Sequence, residues 1–175
     1  DPQYWYDMRC YLEELTPEER LLSRKSSSNR LGLSADFTFG HRCANRAIDF
    51  LETHGSEDFF LTVSLDEPHD PGLCPEPYAS MFNDYEFPKS PNVWDTLEGK
   101  PKYQKYWAGR NRLTDRDALR IKVPTFLGCN AFADFELGRV LDCARQYAPE
   151  AMILYTSDHG DGLESHCLYA KGPVM

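Results

Sequence analysis

The sequence predicts an α/β fold, a mainly parallel sheet flanked by helices, and three observations carry that expectation. Two segments with helical apolar spacing, "HRCANRAIDFLETHGS" and "FLGCNAFADFELGRVLDCARQYAP", are each followed by a short apolar run, "DFFLTVSL" and "AMILYTS". Helix-then-strand order therefore occurs twice, the alternation that builds α/β layers. Each apolar run leads into a polar cluster, "DEPHDP" and "DHGD", and open α/β sheets bind ligands beyond the carboxyl ends of their strands.

In the first helical segment Ala44, Ala47, Ile48 and Leu51 recur three and four apart, and Gly55 ends the run. Residues 58–65 are almost continuously apolar, as a parallel strand covered on both faces requires. The second helix carries Phe132, Phe135, Val140, Leu141 and Ala144 on a broad face and stops at Pro149, before the short strand at 151–157. Residues 23–34 are Ser-rich and read as a mobile surface stretch. The segment from 71 to 122 holds six prolines together with Tyr78, Phe82, Tyr85, Phe87, Trp94, Tyr103, Tyr106 and Trp107. It reads as a long loop ordered by its aromatic content, either packed onto the domain or lining a pocket for an aryl or sugar group.

With 175 residues, 41% of them apolar, the chain can bury the core of one domain. Its 28 acidic against 19 basic side chains give a formal charge of -9 without any basic run. A nucleic-acid surface is excluded on that balance, and an anionic substrate needs a local exception to it. No stretch approaches the length of a membrane span, and the opening "DPQYWYDMRCYLEELTPEER" lacks the n- and h-regions of a signal peptide. The expectation is therefore no membrane association and a cytoplasmic location. Cys10, Cys43, Cys74, Cys129, Cys143 and Cys167 show no CxxC spacing, which favours reduced thiols, while the even count keeps disulfides open. Dinucleotide, P-loop, serine-hydrolase and zincin signatures are absent from the sequence.

The chemistry-bearing residues gather after the two apolar runs. Asp158 and His159 can both reach one cation, because a turn at Gly160 breaks the alternation that would send them to opposite faces. Equally, Asp158 can cap the turn while His159 satisfies backbone groups. Lys171, twelve positions after His159, is either a solvated charge or a contact to a bound anion. His69, between Pro68 and Pro71, is either structural or a held hydrogen-bond donor and general acid. Glu67, Asp66 and Asp70 read as turn formers that can favour a protonated imidazole. His166 either meets a substrate or stabilises the turn, Cys167 has no activating partner in sequence, and Asp161 and Glu164 read as exposed or supporting carboxylates.

"YTSDHGDGLESHCLYAKGPVM" resembles the second metal-ligand motif of the sulfatases of the alkaline phosphatase superfamily, and "SLDEPHDPGLCPEPY" resembles their Ser-x-Asp-Glu-Pro-His-x-Pro stretch. "DPQYWYDMRCYLEELTPEE" and "TFGHRCANRAIDFL" extend the likeness, which is closest to bacterial sulfatase-like hydrolases and weakest at about 88–122. The resemblance implies that Asp158 and His159 bind a divalent cation, Ca2+ foremost, with Mn2+ or Zn2+ as alternatives. It implies that Lys171 contacts the sulfuryl or phosphoryl oxygens and the leaving oxygen, and that His69 helps protonate the leaving group. His166 joins His69 and Lys171 as a substrate-binding candidate.

The family's paired aspartates and its Cys/Ser-x-Pro-x-Arg signature, the source of formylglycine, do not occur here, and none of the cysteines begins that signature. Residues 1–175 are accordingly expected to be the central part of a single sulfatase-like catalytic domain, without the nucleophile region and the C-terminal subdomain, and inactive alone. The expected substrate is a small-molecule sulfate ester or related anionic ester, with homo-oligomerisation open. Rival readings are a phosphonate monoester or phosphodiester hydrolase, and a non-catalytic protein of the same fold.

Overall fold

The computed structural model describes residues 34–69, 72, 74–110, 123–168 and 171. Expectations for Cys10, Asp70, Pro71 and most of the Ser-rich stretch fall outside these residues. The chain forms two compact units, one containing the described parts of 1–84 and 123–152, the other those of 85–122 and 153–175.

The first unit is built on two helices, α1 (Phe39–His54) and α3 (Pro124–Tyr147); α2 belongs to the second unit. Thr38 caps α1 by accepting from the His41 amide at 3.3 Å, one of the donors that a helix start leaves without an intrahelical partner. Pro124 opens α3, where its missing N–H costs nothing. Ala44, Ala47 and Leu51 of α1 pack with Val140, Cys143 and Ala144 of α3 in one buried cluster, and the small side chains let the backbones approach.

Contacts between the two helices keep a nearly constant sequence offset. His41 pairs with Glu136, Asn45 with Arg139 and Ile48 with Cys143, separations of 95, 94 and 95 residues. The helices therefore run side by side in the same direction, as successive helices on one face of an α/β layer do. At their far end a Cβ on Gly55 would lie 2.8 Å from the Tyr147 carbonyl oxygen. Gly55 has φ -61, so its glycine is required by this close approach.

The predicted strands are corrected in part. Phe59, Leu61, Val63 and Ala151 pack onto the α1–α3 core, whereas Phe60 is 95% and Met152 97% exposed. Alternate residues of 58–65 thus face the helices, the period-two pattern of extended chain covered on one side only. Neither 58–65 nor 151–157 has ladder hydrogen bonds among the described residues, so both runs are extended chain without a paired neighbour there. Apolar composition makes a run suitable for a sheet, but a strand also needs a bonded neighbour.

In the second unit the segment read as a loop contains a 3-10 turn (Pro91–Trp94) and α2 (Lys102–Arg110), and a further 3-10 turn spans Ser165–Cys167. Leu97, Ala108 and Cys167 form its small buried core. Tyr103, Tyr106 and Trp107 of α2 are exposed, so these aromatic residues do not pack the segment down as their number suggested. Among the described residues no helix is long and apolar enough to cross a membrane, and Cys43, Cys74, Cys129, Cys143 and Cys167 are free thiols.

Candidate functional site

Asp158 and His159 follow the extended run at 151–157 in the second unit. The Asp158 carboxylate accepts from the His159 amide at 2.9 Å through Oδ1 and holds Oδ2 3.4 Å from His159 Nε2. His159 Nδ1 is 2.9 Å from the Gly160 carbonyl oxygen, an acceptor that commits the ring to an Nδ1–H tautomer and leaves Nε2 as the ligating nitrogen. One carboxylate oxygen and one imidazole nitrogen thus converge at a spacing that two neighbouring ligands of one cation adopt, with metal–ligand distances of about 2.0–2.6 Å. The Asp158 side chain is 84% exposed, so its oxygens are open to a further bond.

This donor pair fits a divalent cation as part of a ligand set. Calcium takes six to eight oxygens, and among the described residues no three His, Cys, Asp or Glu side chains gather around one point. Further ligands must come from outside the described residues. The local reading of the pair is seen directly: Asp158 accepts a backbone amide and His159 bonds a carbonyl, and these bonds orient the remaining lone pairs.

His166 is drawn to a partner invisible in its local sequence. Its Nδ1 lies 2.5 Å from Asp95 Oδ2, Asp95 Oδ1 accepts from the Leu97 amide at 2.8 Å, and Lys100 Nζ stands 3.8 Å from Oδ2. The Leu97 amide, then the His166 ring, hold the Asp95 carboxyl below the usual aspartate range. Cys167, buried, donates its thiol to the Asp95 carbonyl at 3.7 Å, a structural partner. Leu163, Glu164, His166 and Cys167 all have positive φ, between 41 and 69, a concentration of left-handed non-glycine backbone that marks an over-determined segment.

Asp161 accepts from the Leu163 amide at 2.9 Å and is a turn former. Glu164 departs from the exposed carboxylate expected: its Oε2 is buried without a hydrogen-bond partner. Burial, then the Asp161 charge, raises its carboxyl. Lys171 is exposed in the second unit.

His69 sits in the first unit at the end of a turn closed by its amide on the Asp66 carbonyl at 2.8 Å. Glu67 ties this turn to α1, accepting from the Gly40 amide at 2.9 Å through Oε1. Its other oxygen is buried without a partner, and a Cβ on Gly40 would lie 2.9 Å from it. Burial is the largest cause raising the Glu67 carboxyl, with the Gly40 amide opposing it.

The folded chain thus holds that proton more tightly than the unfolded chain. The linked stability is complete below about pH 4.5, the ordinary glutamate value, and is lost as pH rises through the folded value. Glu67→Gln keeps an oxygen for Gly40 and carries no charge. It is expected to match the parent protein in thermal denaturation at pH 4 and exceed it by about 1 kcal/mol at pH 8, the low end of the cost of an unsatisfied buried polar group. A stability difference that does not change with pH would contradict this account.

Other features of the first unit were missed in sequence. Glu136, fully buried, bonds His41 Nδ1 at 2.8 Å and Arg139 Nη1 at 2.5 Å. The signal was available, since Glu136 falls on the same stripe as Phe132 and Val140 with Arg139 one turn on. Beside it lies a cavity of about 410 Å³ lined by His41, Glu76, Tyr78, Phe132, Phe135 and Glu136 among others. None of His69, Asp158, His159, His166 and Lys171 lines it.

The sulfatase YidJ of Escherichia coli strain K12 is 35% identical over the whole of this chain, which covers 37% of that protein. An arylsulfatase of Clostridium perfringens is 29% identical over 73% of the chain and 27% of its own length. The multifunctional alkaline phosphatase superfamily protein PehA of Trinickia caryophylli is 27% identical over 72% of the chain and 28% of its own length. The chain thus spans between about a quarter and two fifths of these relatives. No solved structure matches it. The sequence profile of the sulfatase family, whose fold is α/β, matches residues 3–173, and with the 35% identity to YidJ it follows that the chain belongs to the sulfatase family.

Proposed function

We propose that the protein carrying this chain hydrolyses sulfuric esters, with a divalent cation and with a formylglycine nucleophile from outside this chain. The observation that carries the reading is the Asp158–His159 pair, with Oδ2 and Nε2 3.4 Å apart and the far ring nitrogen fixed by Gly160. Asp158 and His159 would hold the cation, calcium foremost, and the ion supplies charge that offsets the negative charge of the ester oxygens.

The chain's own residues do the rest. Lys171 offers a point charge and three donors to the sulfuryl oxygens, the local exception that a chain of charge -9 needs. His69 donates a proton to the departing alcohol oxygen, from a turn that Glu67 fixes to α1. His166 supplies a further contact to the substrate anion. The substrate is a small-molecule sulfate ester, and a cytoplasmic location in a bacterial cell belongs to the same reading.

The test is a panel of aryl sulfates, phosphodiesters and phosphonates on the full protein, with and without chelator. Turnover of aryl sulfates that is lost on chelation and restored by calcium is expected. Faster turnover of phosphonates or phosphodiesters would favour the second reading. No turnover of any ester would leave the non-catalytic reading.

A further inference from the structure

We propose that Asp95 is a positioning residue for the hydrolytic site: by accepting from His166 Nδ1–H it fixes the ring so that Nε2 is the nitrogen presented to the substrate anion. The inference rests on the reading of His166 as a substrate contact and adds the group that makes the contact specific.

The geometry leaves the ring one choice. Asp95 Oδ2 is 2.5 Å from His166 Nδ1, and an ionised carboxylate can only accept, so the proton between them belongs to Nδ1. Asp95 in turn cannot rotate freely. Its Oδ1 is engaged by the Leu97 amide at 2.8 Å, its carbonyl receives the Cys167 thiol at 3.7 Å, and Lys100 stands 3.8 Å from Oδ2. On the histidine side, positive φ at His166 (52) and Cys167 (60) sets the ring towards a partner 71 residues away in sequence. A turn needed only to reverse the chain does not require left-handed backbone at non-glycine residues on both sides of the contact, Leu97 included with φ 60.

With Nδ1–H committed to a carboxylate, a proton added to the ring goes to Nε2, and the imidazolium so formed is paired. That is the form able to donate to a sulfuryl oxygen. The arrangement is an orienting carboxylate behind a histidine, a device whose removal typically costs about 10- to 100-fold at the site it serves.

Asp95→Asn separates orientation from folding. The Leu97 amide still needs an oxygen, so the asparagine carbonyl is held at the Oδ1 position and its NH2 faces His166. The ring nitrogen there must then accept, and the proton moves to Nε2. In the full protein with 15N-labelled histidine, the His166 signals, identified by their disappearance in His166→Gln, are expected to show Nδ1–H in the parent and Nε2–H in Asp95→Asn. His166→Gln should lower kcat/KM for an aryl sulfate and weaken competitive inhibition by inorganic sulfate by about 10- to 100-fold. Asp95→Asn, whose ring keeps a neutral Nε2–H donor but loses the carboxylate that pairs the imidazolium, should lower both in the same direction and by no more than His166→Gln. The double variant should be no worse than His166→Gln alone.

An Nε2–H tautomer in the parent, a measurement that uses a variant only to assign the signals, would overturn the proposal, and so would losses that simply multiply in the double variant. If His166→Gln keeps full kcat/KM while the parent shows Nδ1–H, the substrate contact fails and Asp95 has no positioning role, although the pair itself exists.

Discussion

Asp158→Ala is expected to lower turnover of an aryl sulfate by about 10³-fold or more, since in the proposed function it removes a cation ligand and with it charge stabilisation of the reacting group. Bound metal, measured by elemental analysis of the purified protein, should fall in parallel. Asp161→Asn is the internal control. Asp161 lies three residues away and spends an oxygen on the Leu163 amide at 2.9 Å, a bond that an amide oxygen can accept equally well. Its activity should stay within about tenfold of the parent, in keeping with a carboxylate outside the ligand set. An Asp158→Ala protein with normal metal content and turnover would remove the main support for the proposed function.

The second large effect concerns packing. Gly128→Ala places a Cβ 2.3 Å from the Tyr78 carbonyl oxygen and 3.3 Å from Cys74 Sγ. The nearest obstacle is backbone, which cannot swing aside as a long side chain can. The segment from Cys74 to Ala79, packed with Cys129 and Phe132 in one buried cluster, must move off α3. Overpacking of this kind costs about 3 kcal/mol, more than the roughly 1 kcal/mol that alanine gains over glycine inside a helix.

Gly138→Ala in the same helix meets nothing within 4 Å. It should leave stability unchanged or raise it by up to about 1 kcal/mol. Urea denaturation of the two variants separates packing from helix propensity, and equal stabilities would show that Gly128 is not in close contact with the 74–79 segment.

The helices were legible because their signal is local. Apolar residues three and four apart in 41–56 and 126–149 foretold α1 and α3, which start two residues earlier and end two residues earlier than read. The face of α3 was read less well. Phe132, Val140 and Ala144 are buried, but Phe135 is 51% exposed, and the stripe runs instead through Glu136. A charge on the apolar stripe contradicts simple patterning unless its partners are known, and His41 lies 95 residues away.

The same limit hid Asp95. Its bond to the Leu97 amide is a local turn feature that sequence can suggest, but its bond to His166 spans 71 residues. The contact between Asp158 and His159 was legible because adjacent residues cannot be far apart, whereas α2 was masked by prolines and aromatic residues that read as loop. Extended chain was foreseen in both apolar runs; pairing was not testable from composition, because a ladder depends on what lies alongside.

The constant offset between α1 and α3 also bears on how such a chain can vary in length. The 69 positions between His54 and Pro124 close a loop whose ends are fixed by the helix pair, and loop-closure entropy grows only with the logarithm of length. Insertions or deletions in the parts of this loop that do not pack on the helices would leave the helix register untouched at small thermodynamic cost. Beyond the parts packed on the helices, 59–63, Glu67 and 74–79, the requirement is that Asp95 still reaches His166. Length variation in related chains should therefore concentrate on either side of the Asp95–Leu97 turn and spare the turn itself.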